Sequence, residues 1–63
     1  MKNCVIRTLI DDLSCYWTGI GWLEDRTEAK RVSLPEAETL VDNMRGDNVM
    51  AYWERYDKAR TAL

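Results

Sequence analysis

Histidine and phenylalanine are missing from this 63-residue sequence, proline occurs once, cysteine twice and glycine three times. Without histidine the commonest general base is gone. Two cysteines cannot supply the Cys/His ligands of a structural zinc, although one disulfide between Cys4 and Cys15 is arithmetically possible. No apolar run exceeds a few residues, whereas a transmembrane helix needs roughly 20. Met1-Lys2-Asn3 leads into no apolar signal core, so reduced thiols and a cytoplasmic chain are the expectation. Neither sign of charge dominates. Nine Lys+Arg against eleven Asp+Glu give a net charge of -2, which disfavours a general nucleic-acid binder.

What is present suits a single small domain over residues 1–63. The chain is 46% hydrophobic and 32% charged, a globular rather than disordered balance. Its six aromatics are three Trp and three Tyr, rings with a polar handle that are enriched at interfaces.

Residues 4–9, CVIRTL, are apolar and β-branched and predict a strand. Asp11-Asp12 supplies turn chemistry, and residues 14–18, SCYWT, predict the returning strand of a hairpin. A turn centred on the two aspartates sets Arg7 opposite Tyr16, Thr8 opposite Cys15 and Ile6 opposite Trp17. Cys4, Ile6, Ile10, Leu13, Cys15 and Trp17 then share the core face. Val5, Arg7, Leu9, Tyr16 and Thr18 lie on the half-wet side. In this register Cys4 faces Gly19, so the two thiols are not opposed.

Gly19-Ile20-Gly21 predicts a tight reversal or bulge, with Trp22 packing back on the core. Asp25 caps a helical turn over Arg26–Lys30, followed by a short third strand at Arg31-Val32. A continuous helix from Asp25 to Val32 is the alternative. The clearest helix is Ser33–Arg45. Ser33 and Glu36 have capping-box spacing, Pro35 sits in the first turn, and Leu34, Ala37, Leu40, Val41 and Met44 form one stripe. Gly46 reads as its stop. Residues 48–55 favour a strand, although Asn48 could instead cap a helix. Residues 57–63 are expected to fray or form a short helical tail.

The expected fold is therefore α+β: a small antiparallel β-sheet, a hairpin plus one or two further strands, with one main α-helix packed on one face. Core candidates are Ile6, Cys15, Trp17, Trp22, Val32, Leu34, Ala37, Leu40, Val41, Met44, Val49 and Ala51. An exposed edge strand in so small a sheet invites homodimerisation or capture by a partner.

The residues offer no catalytic, cofactor or metal set. Asp11-Asp12 and Glu24-Asp25 read as turn and cap. Gly19-Ile20-Gly21 lacks the third glycine and the Lys-Ser/Thr pair of a phosphate loop. Surface recognition remains. The leading partner-binding candidates are Arg7, Tyr16, Tyr52, Trp53, Arg55 and Tyr56, since Tyr, Trp and Arg dominate interface hot spots. A second candidate is the basic cluster Arg26, Lys30 and Arg31, locally neutralised by Glu24, Asp25 and Glu28. A third is the acidic set Asp11, Asp12, Glu24, Asp25, Glu36, Glu38 and Asp42, which could imitate nucleic-acid phosphates.

Val5-Ile6-Arg7, the element Tyr16-Trp17-Thr18-Gly19-Ile20-Gly21-Trp22, the turn from Asp25 to Arg31 and the helix start from Ser33 to Ala37 resemble, in layout, small α+β proteins encoded by phages and mobile elements. That group includes some anti-CRISPR-type inhibitors. The resemblance spans Val5 to Met44, about two-thirds of the chain, and transfers no catalytic residue. The Trp/Tyr/Arg bias and the empty catalytic inventory point to a non-enzymatic protein-binding module, and the resemblance implies an inhibitor or modulator of a host machine such as a defence complex. The rival expectations are a nucleic-acid-associated regulator using the basic cluster and a small structural subunit of an assembly.

Overall fold

A computed structural model describes residues 2–56; the stretch 57–63 lies outside the described residues. Strand β1 (Cys4–Ile10) turns into β2 (Leu13–Trp17), a short β3 (Trp22–Leu23) and a single 3₁₀ turn (Arg26–Glu28) follow, and helix α1 (Leu34–Gly46) leads into β4 (Ala51–Arg55). The strands form one antiparallel sheet in the order β3-β2-β1-β4. The fold is the expected α+β arrangement, with one helix on one face.

The hairpin adopts the expected register, Arg7 opposite Tyr16 and Thr8 opposite Cys15. Asp11 and Asp12 form its two-residue turn with φ of 53° and 69°. Positive φ at both central positions marks a type I′ turn, whose twist matches that of the flanking strands. Asp tolerates this region better than most side chains because it can bond locally.

The third strand does not form where the sequence suggested. Trp22 and Leu23 pair with Trp17 and Tyr16 instead, while Arg31-Val32 yields only an isolated bridge between Val32 and Cys4. The chain reverses through Gly19, whose φ is 104° and which sits close beneath the Lys30 stem. The Thr18 hydroxyl accepts from the Gly21 N–H at 3.1 Å. The Lys30 N–H then donates to the Trp17 carbonyl, and Val32 exchanges two backbone bonds with Cys4. Val32 thereby continues the β2 side of β1 after β2 has ended. Between these points the expected helical turn is a 3₁₀ turn shorter than Arg26–Lys30, capped by Asp25.

Helix α1 begins as read: Ser33 is its N-cap, and its Oγ accepts from the Glu36 N–H at 3.4 Å. Gly46 is its last helical residue and not the left-handed residue that caps it. The left-handed residue is Asn48, with φ 66°. The Val49 N–H donates to the Met44 carbonyl and the Asn48 N–H to the Arg45 carbonyl. Those two bonds define a Schellman motif with asparagine in the position usually held by glycine.

The core lies between the helix and the sheet face bearing Cys4 and Ile6. Cys4, Ile6, Val32, Ala37, Val41 and Ala51 form its buried cluster. Ala37 on the helix and Ala51 on β4 are fully buried; small side chains there allow close approach, and volume changes would be felt at once. Several core candidates are less buried than expected: Trp17, Trp22, Leu34, Leu40, Met44 and Val49 pack against the cluster from its rim. Trp17 and Trp22 are direct cross-strand partners with ring centroids 5.4 Å apart. Two alternation-based placements change. Ile10 and Leu13 share the core face but are exposed, whereas Val5, on the opposite face, is fully buried. Cys4 and Cys15 are both free and buried.

Candidate functional site

The face turned away from α1 carries a row of partly exposed side chains. Leu23 pairs with Tyr16, Tyr16 with Arg7, and Arg7 with Tyr52. Cross-strand partners point to the same side, so these four side chains cross all four strands in a line. Leu23 is exposed and Tyr52 is 42% exposed; Tyr16 is half-buried. Of the predicted partner-binding residues, the structure thus brings Arg7, Tyr16 and Tyr52 together. Strand alternation sends Trp53 and Arg55 to the other face, opposite Ile6 and Cys4.

Arg7 is engaged on two sides. Its Nε lies 3.2 Å from Oε1 of Glu54, off the N–H direction, so the contact is an ion pair and the buried Nε makes no hydrogen bond. Nη1 donates to Ser14 Oγ at 3.5 Å. The other carboxylate oxygen of Glu54 accepts from Arg26 Nε at 3.2 Å. Glu54 is the cross-strand partner of Val5, so this bridge crosses the face beside the buried valine.

Tyr56 and the basic cluster, two separate candidates in the sequence, meet at the same end. The guanidinium carbons of Arg26 and Arg31 lie 4.4 and 4.2 Å from the centroid of the Tyr56 ring. Such contacts are worth about 0.5–1 kcal/mol each at exposed sites. Arg26 also donates through Nη2 to the Arg55 carbonyl at 3.1 Å. Lys30, the third member of the cluster, is exposed, and its stem crosses Gly19.

The β4 edge shows how backbone groups are managed. The Tyr56 N–H donates to the Asn3 carbonyl, so Tyr52, Glu54 and Tyr56 direct their backbone groups toward β1. Ala51, Trp53 and Arg55 direct theirs outward. The Ala51 carbonyl accepts from Arg45 Nε at 3.1 Å, and the Arg55 carbonyl is taken by Arg26. Arginines thus cap both ends of the open edge, and Trp53 lies between them.

Among the acidic residues, Asp25 accepts from the hydroxyl of Thr27 at 2.6 Å and from its backbone N–H at 3.0 Å. These bonds, the hydroxyl's first, hold its carboxyl below the ordinary value of 3.8. Among the described residues no group of three or more Cys, Asp or Glu is placed to hold a metal ion, and no helix is long and apolar enough to cross a membrane. Sequence reasoning did not pick out Leu23, Glu54 or Arg45. Glu54 falls in a strand where alternation faces it to solvent, and nothing local marks it as the hub of two ion pairs. Compared with protein-family models, with curated proteins and with solved structures, the chain matches none.

Proposed function

We propose that this chain is a non-enzymatic protein-binding module, acting in the cytoplasm of a bacterial host as an inhibitor or modulator of a host machine. The observation that carries the binding reading is the Leu23–Tyr16–Arg7–Tyr52 row across the open face. Tyrosine offers large contact area with few rotors to immobilise, and arginine adds a planar head with several donors, which favours both as hot spots. Arg7 is already oriented by Glu54 and Ser14, so little ordering remains on binding. The inhibitor component rests on the layout resemblance alone. A phosphate-binding role is less well supported, because Arg26 and Arg31 are engaged with Glu54 and Tyr56.

The test is affinity capture from a lysate of the source cell with immobilised wild-type chain and with a Tyr16→Ala/Tyr52→Ala variant. A protein retained by the wild type and lost by the folded variant supports the proposal. Equal retention by both, or no specific protein, defeats it.

A further inference from the structure

Beyond that row, the end of the sheet formed by the β1–β2 turn carries four exposed aliphatic side chains: Leu9 at 59%, Ile10 at 44%, Leu13 at 50% and Met50 at 62%. They are neighbours. Ile10 and Leu13 are direct cross-strand partners. Met50 precedes Ala51, the partner of Thr8, and its carbonyl accepts from Thr8 Oγ1 at 2.7 Å. Ile10 and Leu13 belong to the helix side of the sheet and Leu9 to the open side, so the apolar surface wraps around the tip.

The charges within the two apolar segments of this apex have one sign. Residues 9–13 and 47–50 contain Asp11, Asp12 and Asp47 and no lysine or arginine, in a chain whose charges are otherwise mixed. Arg45, the cation that ends the helix beside them, is turned onto the Ala51 carbonyl and the Tyr52 ring. The apex is tightly closed as well, by a two-residue type I′ turn.

We infer that this apex is a wedge that inserts into an apolar cleft rimmed by lysine or arginine on the protein partner. The inference rests on the binding-module reading and supplies the partner's chemistry. Carboxylates around an apolar tip disfavour the other occupants: anionic lipid headgroups, nucleic-acid phosphates and the like-charged apex of a second copy. A cationic rim satisfies the carboxylates while the cleft covers the aliphatics. The hairpin enters with its backbone already folded, so only its side chains are ordered on binding.

The test uses ¹⁵N-labelled full chain titrated with a synthetic amphipathic Leu/Lys peptide, and with a Leu/Glu peptide of equal length as control. The expected result is amide shifts at Leu9–Leu13 and Val49–Ala51 with the lysine peptide and none with the glutamate peptide. Asp11→Asn/Asp12→Asn should weaken binding roughly tenfold, while asparagine keeps the positive-φ turn. Leu13→Ser, at an exposed position, should weaken it independently without unfolding the chain. Shifts centred on Arg7, Tyr16 and Tyr52 with an unmoved apex overturn the wedge and leave the binding-module proposal intact. Shifts confined to Glu36, Glu38 and Asp42, or apex shifts produced by concentrating the chain alone, also overturn it.

Discussion

At one end of the sheet Arg26 reaches Glu54 and the Arg55 carbonyl, 28 and 29 residues away in sequence, and shares the Tyr56 ring with Arg31. At the other end β1 and β2 are joined by two aspartates, and Leu9, Ile10, Leu13 and Met50 remain in water. The base brings together chain segments that local sequence cannot hold, which takes side chains long enough to span the gap. The apex is closed by a tight backbone turn and one bond from Thr8 Oγ1 to the Met50 carbonyl, which asks little of its aliphatic side chains. In a domain of this size, with stability at the low end of the usual range, that division concentrates long-range contacts at the base and leaves the open-face row and the apex available to a partner.

The strongest way to break this contrast is to cut into the buried cluster. Ile6→Ala should cost about 2–5 kcal/mol by transfer and cavity terms, enough to unfold much of the population, whereas Leu13→Ala should stay within about 0.5 kcal/mol. Urea denaturation of the two variants reads the difference. If both lose equally, the apex is not free of structural duty. Next in size is Glu54→Gln, which removes the charge shared by Arg7 and Arg26. The groups are about one-third exposed, so a loss of about 1 kcal/mol is expected. Because salt screens such pairs, the gap to wild type should narrow in high salt.

The helix terminus beneath the apex sharpens the comparison with two opposite signs. An added Cβ at Gly46 meets nothing within 4 Å and its φ is not positive, so Gly46→Ala should stabilise by about 0.4–1 kcal/mol. Asn48→Ala, at φ 66°, should destabilise by about 1 kcal/mol; thermal melts of both variants check the pair. The smallest effect belongs to the exposed cap at Asp25. Its carboxyl is held below 3.8, so the cap contributes above that pH and fades as pH falls through the depressed value. The Thr27 amide shift should titrate with a midpoint below 3.8, and Thr27→Ala should move the Asp25 midpoint back toward it.

Features governed by neighbours in sequence were legible from the chain. Two turn-forming aspartates set the hairpin register, and Ser33, Pro35 and the Leu34–Met44 stripe set the helix. What was not legible depends on distant partners. Two-residue strands carry almost no pattern, so Trp22–Leu23 and Arg31-Val32 were separable only by which one met β2. Alternation placed Val5 in half-wet surroundings because it does not register that β1 is interior to the sheet, flanked by β2 and β4. It placed Ile10 and Leu13 in the core because it does not register where a covering helix ends. Gly46 outranked Asn48 as the stop on residue type, yet the hydrogen bonds of Met44 and Arg45 choose Asn48. The candidate site divides in the same way. Arg7 opposite Tyr16 followed from the hairpin, whereas the bridging of Arg7 and Arg26 by Glu54 required the tertiary fold.

The two buried thiols give the molecule a built-in clock for its own breathing. Cys4 lies at the base, bonded to Val32, and Cys15 sits opposite Thr8 on the way to the apex. An alkylating reagent reaches either sulfur readily only when the packing around it opens. The two modification rates therefore time the opening of the two ends of the sheet separately, in the unaltered chain and without an added label.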